Sequence, residues 1–147
     1  MRPDDLKFTE THEWVRYNDK KKEAVIGITD YAVKQLSDLV HIELPKVGES
    51  IEQGAPFGEI ESVKTVAELV APISGKILEV NKEVSSDLDL LKDEPFEEGW
   101  LIKVKASDPS EIESLMSKKE YEEFLESAEE EEKEPDDTED IDEDDFV

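Results

Sequence analysis

The stretch APFGEIESVKTVAELVAPISG, residues 55–75, decides how this chain is read. Phe57–Val63 and Thr65–Val70 both read as strands, because β-branched and aromatic residues recur through them, and a single residue, Lys64, separates the two. Ala71-Pro72 and Ser74-Gly75 then mark a further reversal of the chain. A hairpin turning near Lys64 projects its amine into water at the tip, away from any core. Composition and periodicity alone give this lysine no special role, since the chain has 15 and most lysines are solvated surface charges.

An internal echo frames the stretch. Gly48-Glu49-Ser50-Ile51-Glu52-Gln53-Gly54 and Gly75-Lys76-Ile77-Leu78-Glu79-Val80-Asn81 share the pattern G-x-x-[I/L]-E-x-[G/N]. Gly and Asn take positive φ most easily, so each copy is expected to be a strand closing on a tight turn. A sandwich of two related sheets would show such an echo, and so would a chance match of so loose a pattern.

Outward from there, HEWVRYN (12–18), EAVIGIT (23–29), LVHIEL (39–44) and GWLIKVK (99–105) read as further strands bounded mostly by turn-forming residues. Thr29 or Asp30 caps a short helix through Leu36, with Ala32, Val33 and Leu36 on its apolar face. Asp108-Pro109-Ser110-Glu111 joins a cap residue to a proline at the first helical position, and Ser117-Lys118-Lys119-Glu120 repeats the cap-to-Glu spacing. Two short closing helices are expected there. Ile112, Leu115 and Met116 would line one face, and Tyr121, Phe124 and Leu125 the next. The fold class is therefore mainly β with short peripheral and C-terminal helices.

The net charge is −25, from 17 basic and 42 acidic residues. From Glu126 to Val147 there are 14 acidic residues against one lysine, Lys133, with too few apolar residues to build a core. A domain over 1–126 and an acidic, disordered tail over 127–147 follow, with Phe146 as a candidate anchor for a basic partner. Such acidity repels phosphate backbones and anionic lipid, so no nucleic-acid or membrane partner is expected. The absence of cysteine excludes disulfides, thiolate metal sites and a cysteine nucleophile. The opening residues MRPDDLKF lack the apolar run of a signal peptide and no later run is long enough to span a membrane, so a cytoplasmic location is expected.

Intrinsic catalysis finds little material. His12 and His41 lie in strand-like runs without companions at metal-ligand spacing, so no metal is expected. There is no G-x-S-x-G elbow and no Gly-rich phosphate loop among six glycines. Carboxylate pairs abound, but in so acidic a chain they discriminate nothing.

Over about residues 6–126 the chain resembles the H protein of the glycine cleavage system. The likeness rests on His12-Glu13-Trp14, Gly27-Ile28-Thr29, VHIELP from Val40 to Pro45, Val47-Gly48, ESVK at 61–64, Ala71-Pro72 with Ser74-Gly75, Val80-Asn81, and Glu94-Pro95-Phe96 followed by Gly99-Trp100. ESVK followed seven residues on by AP-x-SG is its specific part. The resemblance implies a flattened barrel or sandwich of two antiparallel sheets, of the lipoyl-domain type, with the modified lysine on a hairpin. It assigns Lys64 as the attachment site of covalent lipoate, and Glu61, Ser62 and Val63 as part of what the lipoylating enzyme reads. Biotin carriers share the fold but set Met on each side of their lysine, where this chain has Val63 and Thr65. The implied role is that of a non-enzymatic carrier, shuttling an aminomethyl group from glycine decarboxylase to aminomethyltransferase before dihydrolipoyl dehydrogenase reoxidises the dithiol.

Bond lengths give the lysine–octanoyl arm a reach of ~12–14 Å. A chain without thiols of its own leaves the cofactor's dithiol free of exchange partners.

The likeness also frays. Tyr31 stands where the family has His, and Ala67-Glu68 where it has Ser-Asp. By resemblance Glu13, Tyr31 and Glu68 shelter the charged arm. Ser37, Leu88 and Lys92 replace a usual Gly, Pro and Asn. These departures touch glycine cleavage more than carriage. They keep two alternatives in view: an H-like lipoyl carrier for another pathway (a sulfur-oxidising heterodisulfide-reductase-like complex or a lipoyl relay), and an unmodified binding module.

Overall fold

The computed structural model describes residues 5–127. Among them nine strands form two antiparallel sheets. The larger sheet has the order β1 (Lys7–Phe8), β2 (Glu13–Asn18), β3 (Glu23–Ile28), β9 (Ile102–Ala106), β8 (Gly75–Val80), β5 (Ser50–Ile51). The smaller has β4 (Leu39–Glu43), β6 (Pro56–Ser62) and β7 (Val66–Val70). Inward-facing aliphatic residues of both sheets, among them Val15, Ile26, Ile60, Leu69, Ile77 and Val104, make the main core. The mainly β expectation holds, and the strands read from 12–18, 23–29, 39–44 and 99–105 correspond to β2, β3, β4 and β9.

β2 is buried on both faces at its start, because Glu13, Trp14 and Val15 are all inaccessible. Val15 enters the main core, whereas Trp14 points to the opposite face and joins Leu6, Phe8, Phe96, Tyr121 and Leu125 in a second cluster. That cluster needs a cover, and the helix over residues 118–127 supplies it. The capping box read from Ser117 and Glu120 is formed: the Glu120 backbone N–H donates to Ser117 Oγ (3.2 Å) and the Ser117 N–H to Glu120 Oε1 (2.8 Å). Tyr121 and Leu125 face inward as expected, with Tyr121 stacked on Phe8 at 4.7 Å between centroids. The preceding turn, Pro109–Ser114, is a 3₁₀ helix whose first free amide, that of Ser110, donates to Asp108. The acidic stretch beyond residue 127, with Phe146, lies outside the described residues.

α1 (Asp30–Leu36) begins where the sequence places it, with Thr29 Oγ1 accepting from the Ala32 N–H at 3.2 Å. Two further short helices, α2 (Glu83–Ser86) and α3 (Asp89–Asp93), were not expected. Neither Lys82 nor Leu88, which precede them, makes a side-chain capping bond; Asn81 Oδ1 takes the first amide of α2 instead, and α3 has no such start signal.

Both copies of the echo contain a strand, β5 and β8, but the expected positive-φ residues occur in the first copy alone. Gly48 and Gly54 have φ of 94° and 87° and flank β5. Gly75 and Asn81 are outside the left-handed region. Gly75 is instead needed for clearance, because a Cβ there would overlap the Lys105 carbonyl. Asn81 is a buried hydrogen-bonding hub, donating through Nδ2 to the carbonyls of Glu98 (2.9 Å) and Trp100 (2.7 Å) and accepting from the Glu83 N–H at 3.2 Å. The two copies nonetheless meet, since Ser50 pairs with Lys76 and Ile51 with Gly75.

Candidate functional site at the β6–β7 hairpin

After a bulge between Pro56 and Gly58, β6 and β7 run in register from Gly58 opposite Leu69 to Glu61 opposite Val66. Beyond that pair the chain reverses through Ser62, Val63, Lys64 and Thr65, and all four backbone amides are engaged. The Ser62 N–H donates to the Thr65 carbonyl (2.8 Å) and the Val63 N–H to the Asp38 carbonyl just after α1 (2.9 Å). The amides of Lys64 and Thr65 both donate to Ser62 Oγ at 3.2 Å. The turn is thus closed by a serine side chain and tied to the neighbouring loop, while the Lys64 side chain is exposed and meets no ion-pair or hydrogen-bond partner among the described residues. The tip offers a fixed Cα and a free amine.

Exposed valines stand at this end of the small sheet beside the exposed Glu61 and Thr65. Val40, Val63 and Val66 are three of the four large hydrophobic residues that stand exposed among the described residues, at 49%, 66% and 54%. Further down the outer face of the small sheet, Glu43, Glu59 and Glu68 are exposed and lie side by side on β4, β6 and β7. Three adjacent like charges cost stability, and they leave the face strongly negative.

The residues flanking Lys64 differ in access. Glu61 and Val63 face solvent, whereas Ser62 is 4% exposed and its hydroxyl is held within the turn. The three arm residues expected from the resemblance also differ in access. Glu68 points outward from β7, while Tyr31 is half-buried at the start of α1, its ring 4.8 Å from that of His12. Glu13 is 1% exposed, and its carboxylate accepts from Thr9 Oγ1 (2.7 Å), from Thr11 Oγ1 and, through Oε2, from the Val70 N–H at 3.1 Å. It therefore bridges the large sheet to the end of β7. Burial pushes its carboxyl above the ordinary value of 4.5, while the bonds from Thr11, Thr9, Val70 and its own backbone pull the other way. A cleft of about 420 Å³ opens beside these same partners, lined by Thr9, Thr11 and Val70 with Phe8, Leu115 and Met116.

The sequence reading passed over the Asp38 carbonyl, which leaves no trace in residue type, and the two threonines. Hydroxyls at 9 and 11, alternating with the acid at 13, were the signal for the threonines.

His12 closes the other side. It adopts φ of 73°, its Nδ1 is hydrogen-bonded to the Tyr121 hydroxyl (2.9 Å), and that hydroxyl in turn to Thr29 Oγ1 (2.8 Å). Burial lowers its pKa from 6.5. The unfolded chain therefore takes up the proton first as pH falls, and stability is lost on acidification from about 6.5 through the lower folded value. Asn tolerates the same backbone and does not titrate. Wild-type urea midpoints are expected to fall more steeply than those of His12→Asn between about pH 7 and pH 5.5, and Glu13, common to both proteins, drops out of the comparison.

Among the described residues no group of three or more His, Asp or Glu side chains is placed to hold a metal ion, and no helix is long and apolar enough to cross a membrane. Two antiparallel sheets closed over one core, with a free lysine displayed at the tip of a rigid hairpin, define a barrel-sandwich domain of the carrier class. A model of the glycine cleavage H-protein family matches residues 6–128, and the chain belongs to that family. It is 48% identical over 123 residues to the glycine cleavage system H protein of Halalkalibacterium halodurans, covering 84% of this chain and 94% of that one. Against the protein of the same name from Anaeromyxobacter sp. strain K it is 47% identical over 124 residues, 84% and 95% of the two chains. The crystal structure of a glycine cleavage system H protein from Mycobacterium marinum superposes with a TM-score of 0.75 at 37% identity, covering 82% and 95%.

Proposed function

We propose that the chain is the lipoyl carrier of a glycine cleavage system, with lipoate held in amide linkage on Lys64. The observation that carries this reading is the placement of Lys64: exposed, unpaired and centred on a turn whose amides are all satisfied, in a member of the H-protein family. Lipoate, when bound, supplies a dithiol–disulfide pair able to accept and release an aminomethyl group. The chain's own residues supply the rest. Lys64 provides the amine, the hairpin fixes its origin, and Val40, Val63 and Val66 give an apolar collar for an enzyme's mouth to close on. Glu61 and Val63 are available to the lipoylating enzyme.

Glu68, Tyr31 and Glu13 are the proposed contacts for the loaded arm. Glu68 is directly accessible, whereas Glu13 is approached through the cleft beside Thr9 and Thr11 once a threonine hydroxyl gives way. Ala67 lacks the hydroxyl implied by the resemblance, and an acceptor lost there costs about 0.5–1.5 kcal/mol of arm binding. The partners are glycine decarboxylase, aminomethyltransferase, dihydrolipoyl dehydrogenase and the lipoylating enzyme, and the carboxylates of Glu43, Glu59 and Glu68 speed encounter with any of them that presents a basic rim. The carrier has no turnover of its own, and its proposed location is the cytoplasm, in line with its bacterial relatives. Near-half identity to two named glycine cleavage proteins over almost their full length disfavours a sulfur-oxidising or relay pathway.

Two measurements test the proposal. Intact mass from the native host should show the lipoyl adduct, and an unmodified mass in lipoate-replete cells would remove the carrier reading. The lipoylated protein should then stimulate glycine–bicarbonate exchange by purified glycine decarboxylase. A lipoylated protein that does not would belong to another lipoate-dependent pathway.

A further inference from the structure

We propose that Ser62 is a positioning residue for acylation of Lys64, acting inside the chain by holding the turn rather than being read by the lipoylating enzyme; this rests on the carrier reading above. The case is an accounting of the tip. Four amides must be satisfied for the reversal to be rigid, and Ser62 Oγ takes two of them, those of Lys64 and Thr65. The same hydroxyl donates to the Thr65 carbonyl at 3.3 Å, so both its donor and its acceptor capacity are used within four residues. At 4% exposure it shows a docking enzyme almost nothing. Among the described residues no other side chain bonds to the Lys64 or Thr65 amide. Remove the hydroxyl and these two amides turn to water, and the backbone that aims the lysine is freed while the strands below stay paired.

Aim matters because the step is an acyl transfer. The Lys64 amine attacks the carbonyl carbon of a lipoyl adenylate, formed when lipoate attacks the α-phosphate of ATP and pyrophosphate leaves. A C–N bond forms, the C–O bond of the mixed anhydride breaks, AMP leaves, and the amine gives up a proton. An attacking atom presented from a loose turn spends less time in line.

The test uses the unmodified full chain with lipoate, ATP and a lipoate–protein ligase, comparing wild type, Ser62→Ala and Ser62→Thr. Amide hydrogen exchange should accelerate in Ser62→Ala at Lys64 and Thr65 and stay unchanged in β2, β3 and β9. Its acylation, read by intact mass, should slow about tenfold, mainly in kcat, and Ser62→Thr should recover both properties because it restores the acceptor. Unchanged exchange in Ser62→Ala, or accelerated exchange with acylation at the wild-type rate, would overturn the inference. Ser62→Thr acylated as poorly as Ser62→Ala despite restored protection would also overturn it, because the enzyme would then be reading the side chain. A wild-type chain left unacylated would count against the carrier reading itself, and the exchange data would still report separately on the turn.

Discussion

Lys64→Arg is expected to fold as the wild type does and to carry nothing. Arginine keeps the positive charge, but its guanidinium does not lose its proton in proteins and is no nucleophile toward an activated carboxyl group. The adduct should therefore be absent from the mass spectrum after incubation with ligase, lipoate and ATP, and glycine–bicarbonate exchange should sit at the carrier-free background. Stability should stay within about 0.5 kcal/mol, because the side chain is exposed and has no hydrogen-bond or ion-pair partner among the described residues. Both halves matter: an inactive variant that also unfolded would say nothing about attachment. Residual exchange in a folded Lys64→Arg protein would move the attachment site to another of the lysines.

The second large effect concerns the back of the big sheet. Trp14 is completely buried, its Nε1–H donates to the Pro95 carbonyl at 2.9 Å, and the Arg16 guanidinium lies 5.5 Å from its ring centroid. Trp14→Ala should cost about 3–5 kcal/mol in urea unfolding, a large share of what a domain of this size possesses. The indole also explains a glycine. Gly27 pairs with Trp14 across β2 and β3, and a Cβ on it would come within 2.5 Å of the ring. Gly27→Ala should accordingly lose about 1–3 kcal/mol in the wild type and little in the Trp14→Ala background, where the space is empty. Simple additivity of the two changes would show that the ring does not set the requirement for glycine.

Much of this was legible beforehand, for identifiable reasons. β2, β3, β4 and β9 announce themselves by β-branched and aromatic runs, α1 by Thr29, and the closing helix by the reciprocal pair Ser117 and Glu120. What stayed hidden mostly lacks a local cause. α3 starts without a capping side chain, α2 is opened by Asn81 from one residue before Lys82, and the two are held by the burial of Val84 and Leu91. β1 and β5 are two-residue strands set by their neighbours' registers. Gly75 and Asn81 resemble turn residues, yet one serves backbone clearance and the other a buried hydrogen-bond network.

At the site, ESVK pointed to the lysine through family likeness, while the fate of its neighbours depended on tertiary packing. Nothing in the string E-S-V-K says that the serine turns inward while the valine turns out. Glu13 is a similar case: only the fold reveals that an acid between His and Trp is sealed against β7.

That seal has a consequence of its own. β7 is the last strand of its sheet, and an unprotected border of this kind invites a second molecule to add its own strand. The Glu13 carboxylate occupies the amide of Val70, where such a visitor would have to bind. One end of β7 thus leads to the lysine that must meet many enzymes, and at the other the Glu13 carboxylate takes an edge amide that an added strand would need.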